Sequence, residues 1–393
     1  MKHMKSILLN FLLFGIVLLL FSCQNKKENA GEAVTFDMSS IIKQKPQKMV
    51  LSQIVSKCEY VALETKEECL IDFIRDLYLV DEYIIVTTKR ECLVFNRNNG
   101  SFVRKIGSYG RGPDEFATIT HTVLSGSKLY VLSARKLLCF DINNGSLLSN
   151  VQNFDKNNIW YWDMIDSAHY IGSIPNLMGN SKIRFMVGTL QGDSIYSFPN
   201  FSLFDFVGGL EARISSVNFQ AQFYRFNNGL YVKEYSNDTV FRVQDLFTLT
   251  PAIIYNMGKK FPQEIRGDVN KIEQVIDDYI FNESTFETEK YILSKFSYNK
   301  KLYAIMYDKR TKYCSFFDGE NNLYLGLNND IFEGFPCFFP KYVNNSGEMA
   351  TWFNAYIIKD FYEKQSKENI KDNIKTFMNN LSDDDNPVII IAH

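Results

Sequence analysis

Leu93-Val94-Phe95-Asn96-Arg97-Asn98-Asn99-Gly100-Ser101 returns 45 residues further on as Leu138-Cys139-Phe140-Asp141-Ile142-Asn143-Asn144-Gly145-Ser146. Upstream, Ile84-Ile85-Val86 and Leu129-Tyr130-Val131 keep the same offset. A third copy runs from Leu230-Tyr231-Val232 to Phe241, and in all three the middle residue of the apolar triplet stands 10 before the Phe. A looser fourth copy is Leu302-Tyr303-Ala304 followed by Tyr313-Cys314-Ser315-Phe316. Chance likeness does not hold register over such distances.

Each copy reads as short apolar strands joined by tight turns. Asn99-Gly100 and Asn144-Gly145 are hairpin signals, because both residue types accept positive φ. A period near 45 with several strands per unit is the mark of a propeller blade. Blades bury one another's faces, which gives 33 Phe and 22 Tyr a place. The spacing predicts an all-β, six-bladed β-propeller over 34–393 with two inserted or C-terminal helices. Its units fall near 70–116, 117–158, 159–215, 216–258, 289–336 and 337–393, the third and sixth placed by spacing alone. Residues 260–290 interrupt the pattern, where Ile265, Ile272, Val275, Ile276 and Tyr279 have helical spacing. A second helix is expected over 355–379, from Tyr356, Phe361, Ile370, Ile374 and Phe377. The closing Val388-Ile389-Ile390-Ile391 reads as a strand that pairs with one near the N-terminus and so removes an open sheet edge.

The first residues carry a different signal. Lys2 and Lys5 precede an apolar run from Ile7 to Phe21, and Ser22-Cys23 ends it. That is the layout of a lipoprotein signal peptide over 1–22, with Cys23 as the lipid attachment residue. The run of 15 residues is shorter than the roughly 20 that span a bilayer. A polar tether follows at 23–33. The expected address is the cell envelope, lipid-anchored, at an outer membrane whose side the sequence leaves open. With residues 1–22 removed, Lys2 and Lys5 go and the net charge moves from −2 to −4. A mildly acidic chain of this kind argues against a nucleic-acid surface.

Six cysteines follow Cys23, an even number that permits disulfides in an exported protein. Cys58 and Cys69 are the nearest pair. Cys92 and Cys139 sit in apolar strand-like runs and read as buried thiols. No Cys-x-x-Cys occurs, so a zinc site has no support.

Ile106-Gly107-Ser108-Tyr109-Gly110-Arg111-Gly112-Pro113-Asp114-Glu115-Phe116 is the most distinctive loop. It lacks the Gly-Lys-Ser/Thr of a P-loop, and no helix follows it as a dinucleotide site requires. It reads first as a connection between blades. Arg111 and Glu115, with His121 just beyond, form a candidate binding loop, although Arg111 and Glu115 can equally pair with each other. Together with Leu51-Ser52-Gln53-Ile54-Val55, Tyr60-Val61-Ala62-Leu63-Glu64-Thr65 and the ending Asp385-Asn386-Pro387-Val388-Ile389-Ile390, this loop resembles the six-bladed β-propeller lipoproteins of Bacteroidota. The loop itself is similar to that of NHL-type repeats. The resemblance implies a propeller fold and an envelope location, and no catalytic residues.

Little catalytic chemistry can be read from the chain. The histidines beyond the signal segment are His121, His169 and His393, too few for a His-rich metal centre, and no cofactor is indicated. Trp160-Tyr161-Trp162 is a candidate aromatic platform for a sugar, weighed against blade packing. The expected role is a non-catalytic binding or scaffolding module for a glycan, a peptide or an envelope protein. The alternative is a lyase or hydrolase of extracellular polymer with its site in the central channel. Clustered His, Tyr and Arg in that channel would favour the enzyme.

Overall fold

Six four-stranded antiparallel arrays, each formed from strands consecutive in space, make up the chain. The computed structural model describes residues 32–207, 221–235 and 237–393. The signal segment, Cys23 and the tether up to residue 31 lie outside the described residues. Val34–His393 forms one compact unit. The first five blades span 76–105, 119–151, 161–199, 221–256 and 281–319. The sixth joins Tyr342–Val343, Met349–Phe353 and Val388–Ala392 to Cys58–Ala62. The expected closure is therefore present: Cys58–Ala62 pairs antiparallel with Val388–Ala392, Val61 opposite Ile389. A second N-terminal strand, Val34–Asp37, adds parallel to the outer strand of blade four, a pairing the sequence reading did not foresee.

The stacking of blades follows from side-chain alternation. In a strand, successive side chains point to opposite faces. In blade one, Ile84 and Val86 pack with Ile389 and Ile391 of blade six. Their neighbour Ile85 packs with Leu129 and Val131 of blade two. All three are fully buried, so the strand is apolar on both faces. This explains the unbroken apolar triplets.

The Asn-Gly turns differ from the expected two-residue form. Only Gly100 and Gly145 have positive φ, at 73° and 75°. The asparagines act through their side chains: Asn99 Oδ1 accepts from Ser101 N at 3.0 Å, and Asn144 Oδ1 from Ser146 N at 2.8 Å. Turns with two successive positive-φ residues occur instead at Asn227-Asn228 and Asn299-Lys300.

Two further expectations are corrected. Blade five begins with Phe281–Glu287, not near 289. The loose fourth repeat copy falls on its third and fourth strands, Lys301–Asp308 and Tyr313–Gly319, whereas the first three copies fall on second and third strands. That one-strand phase error displaced the boundary. The interrupting segment does hold a helix, Val269–Val275, started by Asp268, whose carboxylate accepts from Lys271 N. The C-terminal helical region is two helices, Ala355–Glu363 and Asp372–Asn380, inserted between the second and third strands of blade six. Ile358, Tyr362, Ile374 and Met378 face the core, while Tyr356 is exposed. All six described cysteines are free thiols, with Cys69, Cys92, Cys139 and Cys337 buried.

Candidate functional site

The first strand of each blade faces the propeller axis, and these strands line a central channel of 710 Å³. Asp76–Leu79, Ile119–Ser125, Tyr161–Met164 and Ala221–Phe226 supply four walls, and Phe286 and the 341–346 stretch complete them. The volume is in the range of small-molecule and oligomer sites.

Tyr78, Tyr161, Tyr224, Tyr342 and Trp352 give the channel an aromatic wall. Tyr78 donates its hydroxyl to Thr122 O at 2.6 Å and packs edge-on against Tyr342, centroids 6.1 Å apart. Burial raises the pKa of Tyr78, Tyr161, Tyr224 and Tyr342, so all four phenols are neutral at ordinary pH.

Both channel carboxylates are engaged. Asp163 accepts from Arg225 at 2.7 Å, linking the inner strands of blades three and four. Asp76 accepts from Thr122 N at 3.2 Å and from the hydroxyls of Thr122 at 2.8 Å and Thr87 at 3.2 Å. His121 Nδ1 stands 3.4 Å from Asp76. Burial alone would push the Asp76 carboxyl up, but His121 and the Thr122 hydroxyl hold it below the usual range.

Two channel cations have no carboxylate within ion-pair distance among the described residues. Arg75 donates to Thr120 O at 2.7 Å, and Lys341 donates to Trp352 O while lying over the Trp352 ring at 5.1 Å. Enclosure, and then the charge of Lys295, push the Lys341 ammonium down to about 8.

The residues singled out from sequence separate. His121 lines the channel, its ring 5.7 Å from that of Tyr161. Arg111 and Glu115 are not among the channel-lining residues. Glu115 Oε2 accepts from Gly112 N at 2.7 Å, and Lys136 donates to Gly112 O at 2.8 Å. A Cβ at Gly110 would lie 1.9 Å from Glu115 Oε2. The loop is thus folded around its own Glu115, as an inter-blade connection needs, and Arg111 stays exposed.

The two tryptophans of the candidate aromatic platform are placed differently. Trp162 has no exposed surface and packs among Tyr130, Phe154 and Tyr170. It has the inward register on Tyr161–Met164, so its ring fills the core between blades two and three. Trp160 precedes that strand and is half-buried. The intervening Tyr161 is the residue of this trio whose ring meets His121 in the channel.

Sequence reasoning missed Arg75, Asp76, Tyr78, Asp163, Arg225, Lys341 and Tyr342. One signal could have found the Asp76–His121 pair. The two differ by the repeat length of 45 and so occupy equivalent positions on neighbouring inner strands.

A family model described as Domain of unknown function (DUF4934) matches residues 33–393. No curated protein matches the chain. Among solved structures, a protein of Bacteroides fragilis NCTC 9343 described as exported is similar at a TM-score of 0.70. The two share 15% identity over 92% of this chain and 99% of that one. A member of the DUF4221 family from Bacteroides vulgatus ATCC 8482 is similar at a TM-score of 0.52, with 11% identity over 86% and 96% of the two chains. Likeness at these identities concerns the fold.

Proposed function

The chain belongs to the DUF4934 family, and from that premise we propose that it is an exported, lipid-anchored envelope protein that binds an oligosaccharide in its central channel without transforming it. The observation that carries this reading is the channel wall. Tyr78, Tyr161, Tyr342 and Trp352 offer rings to sugar faces, and the polar side chains Gln222, Asn344 and Asn345, each held by hydrogen bonds within the protein, line the cavity beside them. A glycan is the ligand class that combines flat apolar faces with a dense rim of hydroxyls.

The envelope address is supported by the basic-apolar-cysteine layout ending at Cys23 and by the likeness to a Bacteroides protein described as exported. No helix among the described residues is long and apolar enough to cross a membrane. Acid-base hydrolysis of a glycosidic bond needs a pair of free carboxyl groups flanking a sugar. Here Asp76 and Asp163 are each tied to neighbours.

One observation favours the enzymatic alternative. Asp76, His121 and Tyr161 form a carboxylate–imidazole–phenol group in the channel, a set able to move a proton during elimination. An array of oligosaccharides and peptides, with thermal-shift confirmation, tests the binding reading. Stabilisation by an oligosaccharide that is recovered unchanged supports it. Release of an unsaturated sugar, abolished by His121→Asn, would establish the lyase instead.

A further inference from the structure

We propose that the oligosaccharide taken by the channel is anionic, its acidic groups meeting Arg75 and Lys341. This rests on the glycan reading of the same channel.

The argument is one of charge balance. Among the described residues, six ionisable side chains apart from the tyrosines line the channel: Arg75, Asp76, His121, Asp163, Arg225 and Lys341. Asp163 is compensated by Arg225, and Asp76 faces His121 and accepts three hydrogen bonds from threonines. Arg75 adds to the positive field at Asp76 without closing an ion pair. What Arg75 and Lys341 hold instead are main-chain carbonyls of Thr120 and Trp352. A carbonyl satisfies a donor but brings no net charge. With His121 left uncounted, three cations (Arg75, Arg225, Lys341) face two carboxylates (Asp76, Asp163) among the described residues, so the channel keeps a net positive charge. Low-dielectric walls focus such a field on whatever enters. Lys295, whose charge bears on Lys341, is paired with Glu283 at 3.2 Å. Burial, and then the charge of Lys295, lower the pKa of Lys341.

The aromatic wall narrows the class. Acidic groups alone would suit a peptide or a free anion. Four tyrosines and Trp352 around the same cavity suit an acid carried on a sugar ring. A uronate-bearing oligosaccharide presents a carboxylate to a cation and a flat ring face to an aromatic side chain.

The test is a set of matched ligands on the full chain: linear trimers of galacturonate, mannuronate and guluronate, their methyl esters, and the neutral hexose trimer galactotriose. Affinity is read by calorimetry at low salt. At least one uronate is expected to bind about tenfold or more tightly than its ester, and the preference should shrink with added salt. Arg75→Gln and Lys341→Met should each reduce the preference, and Lys341→Arg should keep it. Equal affinity for acid and ester overturns the charge inference and leaves the glycan reading standing. Binding of the neutral trimer alone does the same. Tetra-glutamate binding more tightly than every sugar overturns the ligand class, and no binding by any sugar overturns both readings.

Discussion

Asp76 and His121 hold the same place in successive blades: they lie 45 residues apart, and Asp76 Oδ1 stands 3.4 Å from His121 Nδ1 in the channel wall. The pair ties two inner strands together where the main chains of neighbouring blades come closest to the axis. Because the folded state holds the Asp76 pKa below its ordinary value, its ionised form stabilises the fold at pH above the unfolded value, near 4. That contribution is lost as pH falls through the folded pKa. Asp76→Asn should cost about 2 kcal/mol at pH 7 and flatten the loss of stability as pH falls below about 4. Urea unfolding of both proteins across that range reads the difference.

Gly100 and Gly145 are repeat equivalents with the same φ sign, yet their surroundings differ. A Cβ on Gly100 would lie 1.9 Å from Ala62 O, in the strand that closes the ring. One on Gly145 would find Lys105 O at 3.3 Å. Gly145→Ala should cost about 1 kcal/mol, the penalty of positive φ on a residue with a side chain. Gly100→Ala adds a clash with main chain and should cost about 3 kcal/mol or more. Equal shifts in thermal unfolding would contradict this account of the closure.

The closure also sets an energetic order among apolar residues. Ile389 has no exposed surface and lies between Val61 and Trp352 in register. Leu148, on an outer strand of blade two, is 49% exposed. Ile389→Ala should destabilise by about 3 kcal/mol and Leu148→Ala by less than about 0.5 kcal/mol. Denaturant midpoints at constant m-value check both.

Lys233 is a buried ammonium between blades four and five, with its side chain 2% exposed as part of the residue and its Nζ donating to Asn282 O. Burial pushes its pKa down to about 7, and Lys295 adds to this, against the opposing charges of Glu283 and Glu234. Between about pH 7 and pH 10.5 the unfolded chain keeps a proton that the folded chain has shed, so this group makes stability rise with pH across that window. Below it both states are protonated and the dependence ends. Lys233→Met should remove the rise, which amounts to a few kcal/mol on the scale of such shifts. Unfolding temperatures of both proteins measured from pH 6 to pH 10 would show parallel curves if Lys233 were not the group responsible.

How much of this was legible in the chain depends on where the physical signal sits. The apolar triplets are buried on both faces, so Ile84-Ile85-Val86 and Leu129-Tyr130-Val131 kept a residue-by-residue likeness that revealed the blades. The closing strand was legible because Val388-Ile389-Ile390-Ile391 has no polar face to give water. Phe281–Glu287 was not, since Asn282, Glu283, Ser284 and Thr285 break its apolar pattern, and two of its residues face polar partners: Thr285 bonds Gln222 and Tyr255, and Glu283 pairs with Lys295. The two C-terminal helices merged into one for a related reason, as Ile370 is buried although it lies between them.

The site was less legible than the fold. Arg111 and Glu115 drew attention because glycine and charge are conspicuous in sequence, but the carboxylate is spent on its own loop. Arg225 and Lys341 drew none, because they sit singly on or beside strands that the axis alone brings together. Trp160 and Trp162 bracket Tyr161, and strand alternation puts the Trp162 ring in the core between blades two and three.

The most direct test of the channel as the binding site compares ligand-induced thermal stabilisation in the wild-type chain, in Tyr161→Ala and in Arg111→Ala. The channel account predicts that an oligosaccharide raises the unfolding temperature of the wild type and of Arg111→Ala, and that Tyr161→Ala loses the shift. Stabilisation that survives Tyr161→Ala but disappears in Arg111→Ala would place binding at the glycine loop and contradict it.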